Sequence, residues 1–143
     1  MKIYRMMLMI AVLAIGTLVG CDDEPQSKEE VFLKDLNGAW TLIAGQVTVD
    51  QKDVTNAFKG MTITFSTGKN YAVINPAPPL WPAGGSFTLE AGDNGLFNIR
   101  RDDNVLVSVK SLTSTTVLLE LQYTAPAGRS NSVSGRYAFM MTK

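Results

Sequence analysis

The chain has 143 residues, with 13 basic and 13 acidic side chains, no histidine and one cysteine. That length suits one domain with a sizeable core, and balanced charge without a basic cluster argues against nucleic acid as a partner. Without histidine there is neither an imidazole base nor a histidine-bound metal. A lone cysteine forms no internal disulfide, and no repeat of solenoid period is present.

The N-terminus has the three parts of a secretory leader. Lys2 and Arg5 make a basic start, and residues 6–20 are apolar or small and uncharged. Fifteen residues are short for a membrane span, which needs about 20. A basic flank, apolar core and small residues instead make a signal peptide. Leu18-Val19-Gly20-Cys21 closes this segment and resembles the lipobox of bacterial lipoproteins. The resemblance implies cleavage before Cys21, a diacylglycerol on its thiol, an acylated amino group, and residence at a membrane of the cell envelope. Asp22 alone resembles an inner-membrane retention signal. The run Asp22-Asp23-Glu24 better resembles a surface-export signal, so the outer membrane is expected, with its outer face as the exposed side. Residues 22–30 offer nothing apolar to bury, so 21–35 is expected to be a flexible acidic tether. The folded domain then spans 36–143.

From Leu36 onward the apolar period is close to two. Met61, Ile63 and Phe65 alternate with threonines and Ser66; Val117, Leu119, Leu121 and Tyr123 alternate with Leu118, Glu120 and Gln122; Tyr137, Phe139 and Met141 alternate with Ala138, Met140 and Thr142. Such alternation buries one face of a strand. Turn residues interrupt it every 8–12 residues or so, as in sandwiches and barrels. Asn94-Gly95 is the strongest of them, because a type I′ turn needs two positive φ angles. The pattern predicts eight strands at 39–49, 61–67, 71–75, 86–91, 96–101, 105–111, 116–124 and 136–142. One helical turn is expected over 53–60, with Thr55 or Asn56 as its cap and Gly60 at its end. Eight sequential short strands predict an all-β, up-and-down antiparallel barrel, whose closure removes exposed edges. At that strand number the interior is filled by side chains or holds one small ligand.

Leu36-Asn37-Gly38-Ala39-Trp40 resembles the opening of lipocalin-like domains. Ile63-Thr64-Phe65, Gly68-Lys69-Asn70-Tyr71, Gly85-Ser86-Phe87-Thr88-Leu89, residues 112–119 and Gly135-Arg136-Tyr137-Ala138-Phe139 follow in a similar order. The resemblance implies a barrel with Trp40 closing its floor and Arg136 as the arginine near the last strand. It also implies the short bacterial lipocalin-like lipoproteins, many without known activity.

Few residues offer chemistry. Asp102-Asp103 are neighbours in a turn, whereas two carboxylates working across a substrate come from separate elements; they read as turn caps. Asp93-Asn94-Gly95 lacks the ligand spacing and final glutamate of a calcium loop, and no phosphate loop appears. Arg100 and Arg101 lie on opposite strand faces, so at most one enters the barrel. No cofactor, metal or catalytic residue is expected, and an enzyme is disfavoured. The loop 75–85 holds four prolines, which stiffen it, together with Leu80 and Trp81. These two either fold back as a lid or form a rim that meets a ligand, with Trp81 stacking on a glycan or anchoring a protein partner. Three functions stay open: a module holding a small apolar ligand in the barrel, a structural or interaction lipoprotein with a filled barrel, and a glycan- or protein-binding surface module. Met61, Phe65, Leu119, Leu121, Phe139 and Met141 point to substantial filling, and Met140 and Met141 to packing.

Overall fold

A computed structural model describes residues 24–126 and 133–143. Strand β1 (Gly38–Val49) turns into the two-residue β2 (Lys52–Asp53) and a 3₁₀ turn at Thr55–Phe58. There follow β3 (Thr62–Phe65), β4 (Asn70–Ile74), β5 (Gly84–Ala91), β6 (Phe97–Arg101), β7 (Leu106–Leu112), β8 (Thr116–Tyr123) and β9 (Gly135–Thr142). Each of the eight long strands pairs antiparallel with its neighbour, and β1 also pairs with β9, which closes the barrel. The predicted eight-stranded, up-and-down antiparallel barrel is therefore the fold, with every boundary within two residues. Among the described strands, only β2 was not foreseen.

Alternation builds the core. Ile63 and Phe65, Tyr71 and Val73, Val107 and Val109, Leu119 and Leu121, and Tyr137, Phe139 and Met141 all point inward and are buried. The inward phase of β1 changes from Trp40 and Leu42 to Val47 and Val49. A register shift against β9 between Thr41 and Gln46 accounts for it, since a bulge re-aims the side chains beyond it. A second shift, between Val109 and Ser111, does the same in β7 and brings Leu112 opposite Val117.

The expected tether ends early. Lys28–Leu36 forms helix α1, which buries Phe32, Leu33 and Leu36. Ser27 caps it through Oγ, which accepts from the Glu30 amide, while the Glu30 carboxylate accepts from the Ser27 amide. That reciprocal box supplies partners for orphan donors at the helix start. Pairing between β6 and β7 is confined to Ile99↔Val107 and Arg100↔Leu106. Next to the unpaired lower part of β6, α1 sets Phe32 against Phe97, ring centroids 5.3 Å apart. The helix thus seals one barrel end, the floor.

The 3₁₀ turn also departs in detail from expectation. Val54 precedes it with no side-chain cap. Thr55 instead donates its hydroxyl to the Asp53 carboxylate at 2.6 Å and ties the turn to β1 by accepting from the Val47 amide at 3.0 Å. Gly60, at φ +78°, does end the segment. Asn94 and Gly95 carry the expected positive φ, 56° and 76°, within the β5–β6 connection.

Candidate functional site

The two tryptophans close opposite ends. Trp40 lies at the floor with no exposed surface, and its indole donates to the Leu36 carbonyl at 2.8 Å. The Lys143 ammonium sits 4.5 Å from the ring centroid and donates to the Asp35 carbonyl at 2.8 Å. Arg136, the expected last-strand arginine, is exposed and faces outward from β9. The cation over Trp40 is Lys143 because the inward positions of β9 are Tyr137, Phe139 and Met141.

The far end, the top, is filled from a loop. Trp81 is fully buried and Leu80 nearly so, at 3% exposure. Of the two readings of Leu80 and Trp81, a folded-back lid or a ligand-meeting rim, the burial fits the lid and not the rim: they fold back as a plug. Paired 2.9 Å hydrogen bonds between Ala77 and Trp81 fold the loop tip on itself, which turns both side chains inward. The Trp81 ring meets Phe65, Tyr71 and Phe139 edge-on at 6.4, 6.0 and 6.0 Å. With its ring there, stacking on a glycan at the surface is not available to it.

Beneath the plug lies the buried charge of the barrel. Phe97, Ile99 and Arg101 share the inward face of β6, and Arg101 is 1% exposed. Arg100 points outward and pairs with Glu90 at 2.9 Å, so one arginine of the two enters the barrel, as the strand geometry requires. The Arg101 guanidinium donates through Nε to Asp103 Oδ1 at 3.0 Å and through Nη2 to Oδ2. Nη1 donates to the Leu80 carbonyl, and Nη2 also reaches the Pro79 carbonyl at 3.4 Å. Its carbon stands 5.2 Å from the Trp81 ring centroid and 6.0 Å from that of Tyr71, within cation–π range.

Electrostatics follow from this packing. Hydrogen bonds from Arg101 hold the Asp103 carboxyl below the usual carboxylate range, so this carboxyl is ionised at neutral pH. Burial pushes the Tyr71 phenol up. Among the described residues, the buried donors Tyr71 Oη and Trp81 Nε1 have no hydrogen-bond partner. An unmade buried hydrogen bond costs about 1–3 kcal/mol, so the closed top carries a penalty that the floor does not. Asp103 accepts from the Val105 amide at 3.3 Å and so caps its turn, as expected, whereas Asp102 accepts from the Ser86 amide at 3.2 Å and ties the turn to β5 instead.

The clefts are external. One of about 450 Å³ lies between β1, the 3₁₀ turn and β3, with Leu42 and Met61 on its floor and Thr41, Thr55 and Lys59 around it. One of about 260 Å³ lies at the top among Val49, Phe58, Leu80 and Tyr137. Among the described residues no group of histidine, cysteine, aspartate and glutamate is placed to hold a metal. Neither a protein-family model, nor a curated protein, nor a solved structure matches the chain.

Sequence reasoning did not single out Tyr71 or the Arg101–Asp103 pair as parts of one site. A signal was present for Arg101: it continues the inward phase of Phe97 and Ile99, where an apolar residue would ordinarily stand. Cys21 lies outside the described residues.

Proposed function

We propose that the chain is a lipid-anchored, non-catalytic binding module of the cell envelope, which takes a small, largely apolar ligand into a barrel that its own loop fills at rest. The observation that carries this reading is the origin of the plug. Leu80 and Trp81, which close the upper interior over the strand residues Phe65, Tyr71 and Phe139, come from the β4–β5 loop, so they can be withdrawn without breaking the sheet. The experiment is a titration with the neutral fluorophore N-phenyl-1-naphthylamine. Saturable one-to-one binding is expected for the wild type, and tighter binding for Trp81→Ala. Absence of saturable binding to both proteins defeats the ligand reading. The lipoprotein with a permanently filled barrel then takes its place, a second reading favoured by the near-complete burial of Trp40, Phe65, Met61, Phe139 and Met141.

The anchor rests on the sequence of residues 1–21. Wild-type protein is expected to partition with membranes, and Cys21→Ser to become soluble or stay unprocessed; unchanged partition of the variant refutes the anchor. Placement at the outer membrane, with the domain on the outer face, rests on Asp22-Asp23-Glu24. Protease applied to intact cells is expected to remove the domain, and survival until lysis refutes surface exposure. The absence of histidine from the chain and the pairing of Asp103 with Arg101 support a role without catalysis.

A further inference from the structure

We infer that the ligand which displaces the plug carries a neutral carbonyl acceptor, as an amide, ester or lactone does, rather than a free acid. This rests on the binding-module reading above and names the chemistry at its deep end. The Arg101 donors divide between two sets of acceptors. Nε and one Nη2 hydrogen are committed to Asp103, whose turn is not part of the plug. The other contacts, Nη1 to the Leu80 carbonyl and Nη2 to the Pro79 carbonyl, belong to the plug itself. When the loop leaves, Asp103 still orients the guanidinium, and two of its hydrogens lose their acceptors inside an apolar barrel. A buried donor left unmade is costly, so whatever enters must present acceptors there.

The charge of that acceptor is set by Asp103. Arg101 is already balanced by one carboxylate, and the groups it now holds at the plug are neutral peptide carbonyls. A second carboxylate would share this one buried guanidinium with Asp103, whose own side chain is 36% exposed to water; the newcomer, deeper in the barrel, would be both desolvated and faced by a like charge, and each opposes its ionisation. Tyr71 Oη adds a further donor with no partner at present, on a ring 6.0 Å from the guanidinium carbon. Around this polar corner stand Phe65, Phe87 and Phe139, all buried, which suits an apolar body behind the carbonyl.

The test uses the full chain and competition against N-phenyl-1-naphthylamine by three ten-carbon compounds: decanamide, decanoate and decanol. On wild type and on Trp81→Ala, decanamide is expected to displace the fluorophore at least tenfold more effectively than decanoate or decanol. Tyr71→Phe is expected to shrink that advantage several-fold while leaving decanol unchanged. Decanoate equal to or better than decanamide, or equal displacement by all three, overturns the inference and leaves the binding module standing. If the fluorophore itself does not bind saturably, the module fails and the inference with it. Should Trp81→Ala not fold, the wild-type ranking and its Tyr71→Phe counterpart decide the matter alone.

Discussion

The two ends of the barrel are closed by the same residue type in opposite ways. At the floor, Trp40 has its indole N–H satisfied by Leu36, a lysine over its ring, and a helix behind it. At the top, Trp81 is as deeply buried, but its N–H is unpartnered among the described residues, and the carbonyls of Pro79 and Leu80 beside it are held by one arginine. Equal burial therefore hides unequal commitment. The floor is a finished piece of core, whereas the top is a packed but polar-deficient closure, of the kind that exchanges more readily.

The sharpest way to break this comparison is at the floor. Trp40→Ala should cost about 3–5 kcal/mol, as truncation of a buried aromatic does, and further leaves the Leu36 carbonyl without its donor. Against a total stability of about 5–15 kcal/mol, chemical denaturation should find the variant unfolded or nearly so. Trp81→Ala should fall at the lower end of the same range, about 3 kcal/mol, because one unsatisfied donor goes with the ring. The phenylalanine pair refines this: Trp40→Phe should be the costlier of the two, since it breaks a made hydrogen bond and Trp81→Phe removes an unmade one. Equal losses would show that the ends are equivalent.

The latch is the next test. The folded-state pKa of Asp103 is lowered, so its contribution is fully present above the unfolded value of about 3.9. It is lost as pH falls through the depressed folded value. Acid titration should therefore loosen the top first, read as acrylamide access to Trp81 rising before Trp40 is reached. In Asp103→Asn that acid step should disappear. Smaller again is Ser27→Ala, which removes the helix cap and should cost about 1 kcal/mol, confined to the floor and seen as faster amide exchange in α1. The smallest effect, with the opposite sign, is expected of Tyr71→Phe: deleting an unpartnered buried hydroxyl should be neutral or stabilise by up to about 1 kcal/mol. A clear loss of melting temperature there would mean that the hydroxyl has a partner in solution.

Strand content was legible because a period of two is local. Threonine alternating with Ile63 and Phe65, or Leu119 and Leu121 flanking Glu120, marks a half-buried strand without reference to anything distant. Helix α1 was legible in principle and masked by charge. Ser27 and Glu30 stand at capping-box spacing, and Phe32, Leu33 and Leu36 lie on one helical face, but the acidic run before them dominates the composition. The plug was legible only as one of two readings, a lid or a rim. A loop has no periodicity to show which side chains turn inward, and the partner that holds Leu80 and Trp81 lies about twenty positions away on another strand. The floor cation shows the same limit, since Lys143 reaches Trp40 and Asp35 only after the whole barrel has closed.

Helix α1 has one more consequence, for standoff from the bilayer. It begins at Lys28 on the floor side, so with the proposed anchor at Cys21 only six residues, 22–27, lie between the lipid-bearing residue and the helix, seven Cα steps that reach at most about 25 Å when fully extended. If that anchor holds, such a leash would keep the domain at the membrane surface, with the floor nearer the lipid than the Trp81 loop. Cargo would then arrive from the aqueous side and leave by it, rather than being drawn sideways out of the acyl chains. Lengthening the leash by a flexible insert after Pro25 should accordingly leave uptake unchanged.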